Sequence, residues 1–237
     1  MKSLQQDRDL GERQSHEHGL LRNKLPDSFA ALASELWAAS SANDDVLSTA
    51  LRRVLGWRLE EAEEILDSEL RLIKRRLTRV GEVEEAAGMV LRYIRAAQEG
   101  TAQVNLRIMA KVIRGLAKGP RLQASRFLRF ADAVASLTVE EICAVTCLYE
   151  KTAELDQMGL NKDRDNQAWT FTIDELVPRL FEHQQRLADT FLTASRTGLV
   201  TKVAPFKLGP FSTTPLLHEL AALASLQRAI VEEGHDY

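Results

Sequence analysis

Between Thr101 and Ala131 the chain carries seven basic residues and no acid: Arg107, Lys111, Arg114, Lys118, Arg121, Arg126 and Arg129. The first four recur at steps of four, three and four, which places them on one stripe of a helix whose other side carries Val104, Ile108, Val112 and Leu116. Such a stripe can grip phosphates, because each neutralised phosphate releases a counterion and strengthens binding. A run of like charge is more often a salt-bridged face of a bundle. The acidic stretch Glu60 to Glu69 has the sign to lie alongside, and this structural reading is preferred. A net charge of −3 argues against general affinity for nucleic acid, although a local basic face can still bind on an acidic protein.

The remaining reactive side chains are sparse. Cys143 and Cys147 are the only cysteines and stand four apart on one face of an expected helix, a spacing that suits small buried thiols rather than a disulfide framework. Two sulfurs fall short of the four ligands that structural zinc requires. His16-Glu17-His18 lies in a polar stretch without further ligands nearby, and His183 and His218 have no identifiable acidic or nucleophilic partner. There is no glycine-rich phosphate loop, no Gly-x-Ser-x-Gly and no His-Glu-x-x-His. The expectation is a non-enzymatic protein with no catalytic residue, no metal and no cofactor.

The elements that would hold these residues are mostly helical. Ala, Leu, Arg and Glu dominate, aromatics make up 6%, and Gly 12 and Pro 6 are few among 237 residues, a balance that favours helix over sheet. Residues 1–25 read as a flexible polar arm. A first helix is expected from Pro26 to about Ala39, and a second from the Asn43-Asp44-Asp45 cluster. Leu66, Leu70, Ile73, Leu77 and Val80 then form a seam at coiled-coil-like spacing, with acids in Glu60–Glu69 preceding bases in Arg71–Arg79, an order that complements a helix dipole. Further helices are expected from about Glu82 to Gln98, along the basic stripe, after Gly119-Pro120, and from the capping box of Thr138 and Glu141. No run approaches the roughly 20 apolar residues of a membrane span, and the N-terminal stretch lacks the apolar core of a secretion signal. A cytoplasmic location and no membrane partner are expected.

The last third changes pattern. Thr172 and Glu175 form a second Ser/Thr-x-x-Glu capping box, implying a helix with Ile173, Leu176 and Leu180 and placing Pro178 inside it. After Glu182-His183-Gln184-Gln185, Leu187, Phe191 and Ala194 recur at helical spacing until Gly198 closes the pattern. Leu199 to Val203 and Phe211 to Thr213 read as a small hairpin, and Thr214 with Pro215 caps a final helix reaching about Glu233.

This succession, "TIDEL", a helix ending in "TGLV" and a wing closing on "TTPLL", resembles the winged helix-turn-helix of bacterial repressors of the multiple-antibiotic-resistance type. Composition and pattern give a mainly α protein with a helical bundle domain over residues 26–136, and the resemblance, which covers about the last third of the chain, implies a winged-helix-like domain over 137–237 with one small β-hairpin. It also implies that the second helix of the motif enters a DNA major groove, with Gln184, Gln185, Arg186, Thr190 and Thr193 at the bases and Lys202 and Lys207 on the wing reaching phosphates or a minor groove. A homodimer would present two such helices to a palindromic double-stranded site. Asp189, on the same helix, opposes phosphate. The pieces "NLRIMAKVIRGL", "FADAVASLTVEEICAV", "TGLV" and "TTPLL" are also similar to helical prophage and abortive-infection proteins of the alpha type, which implies a phage-defence setting. Two functions follow as expectations: a DNA-binding regulator, or a helical protein-protein interaction module. A DNA binder exposes Arg186, Lys202 and Lys207 on one convex face. An interaction module buries that face or pairs it with acids.

Overall fold

A computed structural model describes residues 28–41, 49–160, 163–203 and 208–235. Among them ten α-helices and one two-stranded antiparallel sheet are formed, so the chain is mainly α with one small hairpin. The polar arm with His16 and His18, the helix start at Pro26, the Asn43-Asp44-Asp45 cluster and Lys207 lie outside the described residues.

Helices α1 (Phe29–Ser41), α2 (Thr49–Leu70), α3 (Val80–Gln98), α4 (Gln103–Ala117) and α5 (Ala124–Ala135) make the first half. Helix α4 is central and packs against α2, α3 and α5, burying Val104, Ile108, Met109, Val112, Ile113 and Leu116. Tyr93 of α3 is wholly buried, and its hydroxyl donates to the Ala62 carbonyl of α2 at 2.8 Å. Glycine 56 does not interrupt α2.

The expected seam through Val80 is not one helix. Helix α2 stops at Leu70, residues 71–79 cross as an irregular connection, and Val80 opens α3. Arg71, Lys74 and Arg75 would crowd like charge at three- and four-residue spacing if the helix continued. The connection instead gives Arg75 partners: its guanidinium donates to the Gly119 carbonyl at 2.6 Å and pairs with Glu82 at 2.5 Å. Leu77 still reaches the core. The dipole argument fails with the helix, because the acids occupy the second half of α2 and the bases follow its end.

The second half comprises α6 (Val139–Gln157), α7 (Arg164–Leu176), α8 (Gln184–Ala194), a short 3₁₀ turn (Ser195–Thr197), β1 (Val200–Lys202), β2 (Phe211–Thr213), α9 (Pro215–Leu223) and α10 (Leu226–Glu232). The strands pair with Val200 opposite Thr213 and Lys202 opposite Phe211. The capping box at the start of α6 is formed on both sides, Thr138 Oγ1 accepting from Glu141 N–H and Glu141 accepting from Thr138 N–H. Thr214 caps α9 with Pro215 in its first turn.

The capping box expected at Thr172 is absent. Helix α7 begins eight residues earlier, and Thr172 is buried in its interior, where its hydroxyl donates to the Ala168 carbonyl at 2.8 Å. Pro178 is correspondingly outside the helix: Val177 is extended, as a residue before proline prefers. The closing helix also divides, because Ala224 is extended and turns α10 back toward α4. The buried apolar side chains form one continuous cluster on both sides of the boundary expected at Ser136. Asn105 ties the halves directly, its buried amide donating to the carbonyls of Val134 at 2.7 Å and Leu137 at 2.8 Å.

Candidate functional site

The basic stripe of α4 is turned inward. Lys111 is 1% exposed, and its ammonium lies 3.3 Å from Glu69 of α2 and 2.8 Å from Glu232 of α10. Arg114 reaches Glu69 at 2.5 Å, while Arg107 pairs with Glu233 and lies 3.7 Å from Glu232. Burial alone would raise the Glu232 carboxyl, but hydrogen bonds from Lys111 and Arg228 outweigh it and hold the group below its usual range. Lys118, just past the end of α4, is exposed. The four residues therefore do not make an open phosphate-gripping face. Arg107, Lys111 and Arg114 join α4 to α2 and α10, with Glu69 the one carboxylate of the expected acidic stretch in the network. Glu232 and Glu233, which sequence spacing could not bring near α4, supply the others.

The second constellation lies where α6, α7, α8 and the hairpin meet. Its interior is aromatic: Trp169 of α7, Phe191 of α8 and Phe211 of β2 have ring centroids 5.1–5.2 Å apart, with Phe191 and Phe211 stacked. Gly209 passes directly over Trp169, so that a Cβ there would meet the indole at 2.8 Å. Its φ of +106° is a second reason for glycine. Gly198, at φ +74°, ends the 3₁₀ turn and releases the chain into β1. These contacts fix the position of α8.

The solvent side of α8 presents Arg186, Asp189, Leu192 and Thr193. Arg186 stands 3.5 Å from Glu140 in the first turn of α6. Gln185 donates to Asp189 at 2.8 Å, and the hydroxyls of Thr190 and Thr193 donate to backbone carbonyls one turn earlier. Gln184 and Lys202 are half-buried. Behind this face Arg196 is held at the end of α8, donating to both oxygens of the buried Glu141, at 2.6 and 3.1 Å, and to the Ser136 carbonyl. Burial alone would raise Glu141, but the bonds from Arg196 and from the Thr138 N–H outweigh it and lower its pKa.

No protein-family model, curated protein or solved structure matches the chain.

Among the described residues no group of three or more His, Cys, Asp or Glu is placed to hold a metal ion, and no helix is long and apolar enough to cross a membrane. Cys143 and Cys147 are buried free thiols, which burial pushes up to about 11 and about 12. Thiolate chemistry at neutral pH is thereby disfavoured. His218 is spent on the fold, 3.0 Å from the Thr213 hydroxyl and edge-on to Tyr149.

Sequence reasoning missed Arg196, Asn105 and the two terminal glutamates. Arg196 alone had a local sign, a basic residue two positions before a helix-ending Gly-Leu-Val. Asn105 had none, because its partners are backbone carbonyls about 30 residues away.

Proposed function

We propose that this chain is a non-enzymatic helical interaction protein whose unit of α6, α7, α8 and hairpin docks a partner protein along the outer face of α8. One observation carries the reading: the arginine of that face and the one behind it both meet acids of α6, Arg186 with Glu140 and Arg196 with Glu141. A face competing for polyanions would keep those cations for phosphate. What is exposed is mixed, with Arg186 and Asp189 beside Leu192 and Thr193, a surface suited to a partner carrying both an apolar anchor and polar rim groups. The similarity to prophage and abortive-infection proteins supports a phage-defence setting.

The test is a photoreactive residue at position 192 of the full chain in its own cells. The expected product is a protein adduct that survives nuclease and is lost when Asp189→Arg is added. Adducts that collapse with nuclease would overturn the reading.

A second reading, DNA binding, is favoured by the order helix, turn, helix, hairpin and by the exposure of Arg186. It would use Gln184, Gln185, Arg186, Thr190, Thr193, Lys202 and Lys207. It requires sequence-preferring binding to duplex from the chain's own upstream region that weakens steeply with salt and in Arg186→Ala and Lys202→Ala.

A further inference from the structure

A groove of about 460 Å³ runs between α1 and α2. Its floor is apolar, with Ala33, Trp37, Leu66 and Leu70 all buried. Its rim is mostly acidic: Glu60, Glu63 and Glu64 are exposed along α2, while Asp67 beyond them is paired with Arg71, the one cation among the described residues of the lining. Burial first, and then the negative charges of Asp67 and Glu60, raise the Glu63 carboxyl, so a cation brought beside it is favoured.

The cations are next to it. The connection after Leu70 exposes Lys74, Arg76 and Arg79 together with Leu72 at 57% exposure, and Val80, the first residue of α3, is 53% exposed beside it. A bridge between Ser28 and Arg76 holds this connection against the start of α1. Acidic groove and basic apolar segment therefore adjoin at the end of α2, one on each side of Leu70.

We propose that two copies of this chain pair across this edge, their α2 helices antiparallel about a two-fold axis close to Leu70–Leu72, so that the basic segment of each copy lies in the acidic groove of the other. The order along the chain is what makes the surface complementary to itself. Acid precedes Leu70 and base follows it, so reversing direction sets acid over base twice, as an isologous interface requires. Leu72 of each copy enters the apolar floor between Trp37 and Leu70 of its partner, and the surrounding charges fix the register and reject a parallel alignment. The pairing is separate from the docking of α8 and does not rest on it.

The experiment uses the full chain and reads mass by light scattering and sedimentation across a range of protein concentrations, in about 0.05 to 0.5 M salt, over which the screening length falls severalfold. A dimer is expected, loosening as salt rises. Glu63→Lys with Glu64→Lys makes both patches basic, and Lys74→Glu with Arg76→Glu makes both acidic. Each double variant alone is expected to be monomeric, and an equimolar mixture of the two is expected to restore a dimer containing one of each, which a misfolded variant would not do. The proposal is overturned by a wild-type chain that is monomeric throughout, by a dimer that both reversals leave intact, or by reversed variants that stay monomeric when mixed. In the first case the groove is left to a basic segment of another protein or to residues 1–27.

Discussion

Lys111 shows how differently one charge behaves at the surface and in a core. An ammonium 1% exposed between Glu69 and Glu232 gains its place from two carboxylates, and removing it takes from each its most buried partner, leaving Glu69 to Arg114 and Glu232 to Arg107 and Arg228. Lys111→Met is expected to lower stability by about 3–5 kcal/mol, read as a lower denaturant midpoint at unchanged slope. Lys118→Met, on the exposed residue of the same stripe, should stay within about 0.5 kcal/mol. Glu141 makes a pH prediction. Its folded pKa is depressed from 4.5, so its contribution is fully present above the ordinary carboxylate value and is lost as pH falls through the folded one. Stability should drop from about pH 5 downward, and Glu141→Gln should flatten that part of the profile while weakening the protein at neutral pH. An unchanged acid limb in the variant would show that the Arg196 pair contributes nothing to folding.

At the scale of elements, two helical glycines should respond to the same substitution with opposite sign. At Gly56 in α2 a Cβ would meet nothing within 4 Å, so Gly56→Ala should stabilise by about 0.5–1 kcal/mol through helix propensity. At Gly115 in α4 it would meet the Leu223 carbonyl of α9 at 2.7 Å, and backbone cannot swing aside as a side chain can. Gly115→Ala should cost about 1–3 kcal/mol, and amide exchange should quicken in α9 and α10. The hairpin depends on its aromatic contacts more than on its three rungs. Phe191→Ala is expected to cost about 3–5 kcal/mol and to loosen β1 and β2 before the helices melt, visible as early loss of amide protection there.

For the molecule as a whole, one continuous core runs across Ser136, and α9 and α10 return to pack on α4. Variants keeping only Trp37 in the first half or only Trp169 in the second are therefore expected to report the same denaturant midpoint. Two separated midpoints would mean that the halves unfold independently despite the shared core. The charge network reinforces the coupling, since Glu69, Lys111 and Glu232 come from α2, α4 and α10.

Several elements were legible because their causes are local. The Thr138–Glu141 box, the Gly198 stop, the Thr214-Pro215 start and the apolar face of α4 all follow from neighbours within one or two turns, where residue type and spacing suffice. Capping patterns are less secure, as Thr172 shows: a buried hydroxyl bonded one turn back carries the same letters as a cap. The end of α2, the inward turn of the basic stripe, the amide bridge of Asn105 and the pairing of Arg196 with Glu141 were not legible. Each depends on groups roughly 30 to more than 100 residues apart, and their placement is decided by which faces pack, a matter of the three-dimensional sum of burial and charge rather than of any local run. By itself the sequence determined a mainly helical chain with one hairpin and the position of most helix ends. Only the tertiary structure decided which charges are spent on holding it together and which are left for a partner, because burial, and not residue type, sets whether a cation faces water or a carboxylate.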